Sequence, residues 1–215
     1  MLIPSANTLH FSHFLRFFCK SSPWQKSNIV AMAEMIDDEL LVEKFSRGDE
    51  SVFDRIVERY SADVGALANR LLGWPGEVED VSQEVFLAAY LGLKRFRCEC
   101  SLRSWLFTIT INKCRSHRRK QLLHLRTSSR AADKAPVPSA QTAHENPVDA
   151  ETFNRVHSAV AALPAKYREP VVLRYLQELP TDEIGQILGI SQNALHVRLS
   201  RARKHLRGNL NKQTE

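Results

Sequence analysis

Apolar residues recur at three- and four-residue spacing along most of this chain, and alternation at every second position is nearly absent. That periodicity is helical. A first helix is expected from near Asp37, with acids in its opening turn, Leu40, Leu41 and Phe45 facing inward, and Gly48 at its end. The most regular stretch follows. Phe53, Ile56, Val57, Tyr60, Val64, Leu67, Ala68 and Leu71 line one face before Gly73, Trp74 and Pro75 stop the helix. A third helix, from about Val78 to Leu93, carries Val81, Val85, Ala88 and Ala89 on one side. A fourth is expected from near Ser101 through Trp105, Leu106, Ile109 and Ile111 into a basic run.

The pattern vanishes between Thr127 and Asp149. The stretch SSRAADKAPVPSAQTAHENPVD has almost no large apolar residue, so it cannot bury enough surface to offset chain entropy, and it reads as a flexible linker. Helical spacing resumes near Glu151 with Phe153, Val156, Val160 and Leu163, until Pro164 interrupts it. The next helix carries Val171, Val172, Leu173, Tyr175 and Leu176. Pro170 leaves its start open, since proline suits a first turn and not an interior.

TDEIGQILGIS then predicts a short helix and a sharp turn. Thr181 is the expected cap, Asp182 and Glu183 suit the positive end, and Ile184, Ile187 and Leu188 face inward. Gly189 takes the left-handed conformation, and Ser191 caps the following helix. The expected fold is all-α: two small helical domains joined by a flexible linker, the second a helix-turn-helix domain. The expected divisions are residues 36–126, a linker at 127–149, and residues 150–211. Residues 1–35 are expected to be a disordered extension or the product of a start placed too far upstream.

Charge sharpens this picture. The net charge is +6, but its distribution matters more. From Asp37 to Glu50 six acids stand against Lys44 and Arg47. Lys94 to Lys120 holds nine bases against Glu99 alone, and a second basic cluster fills the last helix. Such clusters suit a polyanionic partner. In SQNALHVRLSRAR and beyond, Leu195, Leu199, Ala202 and Leu206 form a narrow apolar stripe. Arg198, Arg201 and His205 flank it on one side, and His196, Arg203 and Arg207 on the other. A helix docked by one stripe and cationic elsewhere suits a DNA groove. The competing reading is a solvated amphipathic helix packed on its neighbours.

Other classes have little support. Four cysteines are too few for a disulfide scaffold. No stretch reaches the roughly 18 apolar residues of a membrane span. Leu9 to Phe18 is broken by His10, Ser12, His13 and Arg16, and lacks the flanks of a signal peptide. Cys98, Cys100, Cys114 and His117 leave open a metal-dependent enzyme, but their spacing is irregular. No triad and no phosphate loop is present, so neither a cofactor nor a catalytic role is expected.

The stretch from Gly76 to Lys120 joins an acidic-polar helix to an aromatic-basic one. The first half suits a protein partner, and the second suits a nucleic acid strand held by charge and stacking. Here the chain resembles the extracytoplasmic-function sigma factors, the smallest branch of the bacterial sigma-70 family. The motif D-x-x-Q-E-V-F stands at Asp80 to Phe86. The run F-R-x-x-x-S/A-x-x-x-W-L stands at Phe96-Arg97 through Trp105-Leu106. LPAKYREPVVLRYLQELPTDEIGQILGISQNALHVRLSRARKHLR is similar to the family's second domain. The resemblance covers Asp37 to about Arg126 and Glu151 to Leu210.

The resemblance implies a cytoplasmic protein that directs core RNA polymerase to promoter DNA and assists strand opening, regulated by an anti-sigma partner. It implies core-polymerase docking by Asp80, Gln83, Glu84 and Phe86. It implies −10 contacts from Phe96, Arg97, Asn112, Arg115, Arg118 and Arg119. It implies −35 contacts from Ser191, His196, Val197, Arg198, Arg201 and Arg203. Two departures stand out. Asn193 to Val197 replaces the common Gly-Thr-Val-Lys-Ser, and Cys98 stands where glycine is common. The alternative is a stand-alone helix-turn-helix regulator, which has no need of the acidic Asp80 helix.

Overall fold

The computed structural model describes residues 29–72, 75–127 and 155–211. Regular structure among the described residues is entirely helical. Four helices form the first bundle: α1 Ile29–Ser46, α2 Val52–Leu72, α3 Val78–Leu93 and α4 Leu102–Thr127. The second bundle holds α5 at 155–161, α6 Ala165–Val171, α7 Thr181–Leu188 and α8 Gln192–Asn211. Residues 1–28 of the expected extension and the linker from residue 128 lie outside the described residues.

The helical spacing produces the core it predicted. Ile56, Tyr60, Val64, Leu67, Ala68 and Leu71 of α2 pack with Val81, Val85, Ala89 and Leu93 of α3 and with Leu102, Trp105, Leu106, Ile109 and Ile111 of α4. Trp105 is buried against α3, where a Cβ on Gly92 would stand only 3.2 Å from its ring. Glycine at that point is therefore a matter of close approach. Ser101 caps α4, its hydroxyl accepting from the Ser104 amide at 3.1 Å.

Three local details differ from the sequence reading. α1 begins at Ile29, not near Asp37. Asp37 and Asp38 lie mid-helix, where both bind Arg59 of α2 and Asp38 also accepts from the Tyr60 hydroxyl at 2.6 Å. The acids that looked like a helix start are instead a tether between two helices. Burial pushes the Asp38 carboxyl up, and these hydrogen bonds oppose that rise. Secondly, Thr181 is the first helical residue of α7 and not its cap; Pro180 holds the cap position with no side-chain bond. Thirdly, Pro170 lies inside α6. The helix then widens into a π turn over Val172–Leu176, closed by the Gln177 amide on the Val172 carbonyl at 3.0 Å. Pro170 cannot donate within the helix, so the bond an ordinary residue would make there to the Lys166 carbonyl is missing, and the wide turn begins two residues later.

The turn between α7 and α8 forms as expected. Gly189 has φ 66° and ψ 41°. Its amide reaches the Gln186 carbonyl at 3.1 Å and the Ile190 amide reaches Gly185 at 2.9 Å, the paired bonds of a Schellman end. Ser191 then caps α8 through the Ala194 amide at 3.3 Å. Gly189→Ala is expected to lower unfolding free energy by about 1 kcal/mol through left-handed strain. Urea denaturation of the full chain measures it, and an unchanged midpoint would contradict the assignment.

Candidate nucleic-acid interface

On α3, Asp80, Gln83 and Glu84 are exposed and share one outward strip. Leu87 and Leu91 continue that strip, 62% and 69% exposed. Spacing of seven and eleven from Asp80 puts them there, and counting outward as well as inward positions would have found them. Phe86 does not belong to the strip: it is half-buried and packs against the core. Glu84 is partly occupied, accepting from Lys113 of α4 at 3.1 Å. That contact holds its carboxyl below the usual range. The strip is thus acidic and polar near the start of α3 and apolar toward its end.

The loop after α3 leads into α4. Phe96 is half-buried and leans on Trp105, ring centroids 5.0 Å apart. Arg97 is exposed. Cys98 has φ 55°. A left-handed backbone at this position is one that glycine adopts without strain and cysteine does not. Cys98→Gly is expected to raise stability by about 1 kcal/mol, and a fall in the denaturation midpoint would refute the strain. Along α4, Asn112 and Arg118 are half-buried and Arg119 is exposed. Phe107 is wholly buried, and Arg103 stacks over its ring at 4.7 Å.

Arg115 differs from its neighbours. Its guanidinium makes two hydrogen bonds to the Glu169 carboxylate of α6, at 2.9 and 2.6 Å. This pair belongs to a seam between the bundles. Ser104 of α4 donates to Glu183 of α7. Arg103 donates to Gln177 at 3.3 Å and to Asp63 at 2.7 Å. Arg70 reaches the Leu176 carbonyl, and Arg168 the Leu71 carbonyl, both at 2.8 Å. Arg168 also donates to Ala161 and Leu163, so one guanidinium collects carbonyls at the ends of α2 and α5. Burial draws its pKa down to about 10, which leaves it charged at neutral pH. Burial pushes Glu183 up. The pairings that cross the seam were not legible beforehand, because each joins residues far apart in the chain.

On α8, Leu195, Leu199 and Ala202 are buried and Leu206 half-buried, as the stripe predicted. The opposite face presents His196, Val197, Ser200, Arg201 and Lys204, all exposed. Arg198 is half-buried on one flank, and Arg203 is exposed on the other. His205 stacks on Tyr167 of α6, centroids 5.2 Å apart. Lys204 and Ser200 were not among the expected contacts, although they sit nearer the centre of the outward face than Arg198 or Arg203. Ser191, at the start, is occupied as a cap.

Cys100 and Cys114 are buried, and burial pushes the Cys114 thiol up to about 12. Among the described residues no group of three or more His, Cys, Asp or Glu is placed to hold a metal ion. No helix among them is long and apolar enough to cross a membrane.

A helical bundle with an acidic outward strip and a basic helix, joined to a helix-turn-helix, is the architecture of a promoter-recognition subunit. Residues 56–122 match the model of Sigma-70 region 2, and residues 153–206 match that of Sigma-70, region 4. The chain is 30% identical over 176 residues to the ECF RNA polymerase sigma factor SigW of Bacillus subtilis, covering 79% of this chain and 94% of that one. It is 29% identical over 182 residues to the ECF RNA polymerase sigma-E factor of Escherichia coli K12, covering 80% and 94%. Among solved structures, CnrH in complex with the cytosolic domain of CnrY aligns with TM-score 0.60 at 25% identity, over 81% of this chain and 97% of that one. The sigma factor RpoE of Bartonella quintana, solved with the anti-sigma factor NepR, aligns with TM-score 0.61 at 23% identity, over 74% and 96%, a likeness of fold. The chain belongs to the ECF RNA polymerase sigma factors, the transcription-initiation factors that bring core polymerase to promoters.

Proposed function

We propose that residues 36–126 form the module that grips core polymerase and captures the opened −10 strand, and residues 150–211 the module that reads the −35 element. The linker at 127–149 tethers them. The carrying observation is that two outward strips of opposite character lie on separate helices of one chain. The α3 strip of Asp80, Gln83, Glu84, Leu87 and Leu91 suits a protein surface. The cationic face of α8 suits a groove. A DNA-binding regulator acting alone has no use for the first.

Phe96, Arg97, Asn112, Arg118 and Arg119 border one aromatic-basic surface, on which an unstacked base and its phosphates find partners. Phe86 acts through packing, holding α3 in place, and not through contact. His196, Val197, Arg201 and Lys204 face the −35 groove, with Arg198 and Arg203 on its edges toward phosphates. The protein works in the cytoplasm and carries no catalytic chemistry. An anti-sigma protein is its expected regulator, and the similar structure of CnrH holds such a companion in the cytosolic domain of CnrY.

The test is capture of core polymerase by the purified chain, then run-off transcription from promoters mapped after induced expression. Transcription no better than core polymerase alone would end this reading. Within it, Arg201→Ala is expected to weaken promoter binding about tenfold, near 1.4 kcal/mol. Lys204→Ala is expected to weaken it evenly across sequences and lower the salt slope by about 1. Neither should alter capture of core polymerase. Titration of labelled promoter DNA with holoenzyme at several salt concentrations checks both.

A further inference from the structure

The outward face of α8 carries more than positive charge. Asn193, Val197, Ser200 and Lys204 stand at spacings of four, three and four, opposite the buried Leu195, Leu199 and Ala202, and all four are exposed. The residues that open the helix divide by task. Ser191 caps it through the Ala194 amide, and the Gln192 amide donates to the Thr181 carbonyl at 3.1 Å, tying α8 to α7. Asn193 takes neither task and is exposed. One turn on, Val197 is 47% exposed among His196, Arg198, Arg201 and Lys204. Neither water nor a phosphate is a favourable neighbour for an aliphatic side chain.

We propose that Asn193 and Val197 determine the sequence this face prefers, Asn193 reading an adenine edge and Val197 packing on a thymine methyl in the major groove. This rests on α8 as the −35 helix and names what that helix selects. An asparagine amide offers a donor and an acceptor side by side, which match adenine N7 and N6 in two hydrogen bonds. The thymine methyl is the apolar group that the groove exposes. Cations that hold phosphates cannot supply this choice, because every sequence carries phosphates. The opening turns of a recognition helix are the ones that approach base edges, and Asn193 and Val197 lie in the first two turns of α8. Four residues span about 6 Å along the helix axis, less than two base-pair steps of about 3.4 Å. The adenine and the thymine therefore fall within about two base pairs of each other. Arg201, a further turn along, reaches a guanine edge beyond them.

The experiment uses holoenzyme assembled from the full-length chain and core polymerase, with promoter DNA randomised across the −35 segment. Bound DNA is sequenced, and affinities are then measured on the selected site. The native chain is expected to enrich an adenine and a thymine within about two base pairs. Replacing that thymine by uracil removes only the methyl group. It should weaken native binding about fivefold and Val197→Ser binding by less than about twofold. Replacing the adenine by 7-deazaadenine removes the N7 acceptor. It should weaken native binding about tenfold and Asn193→Ala binding by less than about twofold. Asn193→Asp should select cytosine in place of adenine, because a carboxylate accepts from the cytosine amino group. Each ratio compares two DNAs on one protein, so any loss of folded chain cancels.

An equal uracil penalty in the native and Val197→Ser chains would overturn the role of Val197. An equal 7-deazaadenine penalty in the native and Asn193→Ala chains would overturn that of Asn193. A selected site with no such adenine and thymine would overturn both. In all three outcomes the native holoenzyme still prefers a −35 sequence, and the sigma reading stands. No preference beyond that of core polymerase alone would overturn the sigma reading together with this inference, so the two failures are told apart.

Discussion

Asp80→Arg is expected to cut affinity for core polymerase about a hundredfold, near 2.7 kcal/mol, and leave the fold in place. Asp80 is exposed in the first turn of α3, so reversing its charge disturbs no packing. The helix itself loses only the favourable dipole interaction, about 0.3–1 kcal/mol. The rest of the effect falls on the partner, where a carboxylate's donors would face a guanidinium. Promoter contacts by α8 should not change. The measurement is a titration of fluorescent full-length chain with core polymerase, beside a thermal melt. Loss of affinity accompanied by a comparable loss of stability would show that Asp80 serves the fold. Leu87 and Leu91 extend the same strip, and replacing both with alanine should cost a further factor of about ten from lost apolar burial.

Arg168→Met is expected to be the most damaging single change to stability, at about 3 kcal/mol. The side chain fits by volume, but it leaves the carbonyls of Leu71, Ala161 and Leu163 without their donor. Each buried carbonyl so abandoned costs about 1–3 kcal/mol, partly offset because no charge need be buried any longer. For a domain pair of this size that corresponds to a fall of roughly 6–12 °C in Tm. Arg168→Lys should recover part of it, since a single ammonium cannot span carbonyls from two helices. Calorimetry of the full chain checks the series, and a shift under about 2 °C for methionine would sink it.

Much of this molecule was open to reading from local pattern. The α2 and α8 stripes, the left-handed Gly189 and the Ser191 cap follow from spacing and residue type alone. What stayed hidden depends on tertiary neighbours. The acids at Asp37 and Asp38 look like a helix start until Arg59 and Tyr60 are seen beside them. Arg115 looks like one more cation in a basic run until Glu169, 54 positions away, is found in its fork. The candidate site was legible as to which helices bear it. Which face each side chain takes was less so: Phe86 turns inward, and Lys204 stands near the centre of the outward face of α8. In each case periodicity identified the helix, and only packing decided the direction.

The widened turn at Val172–Leu176 has a consequence for how the rear module tolerates change. Each residue of a regular helix advances the chain by about 100°. The wide turn carries one more residue than an ordinary turn does around nearly the same rotation. Removing one residue here would therefore restore ordinary winding and leave the exit of the polypeptide pointing nearly where it points now. A deletion of one residue in this place would thus disturb the aim of α8 less than the same deletion inside α7 or α8.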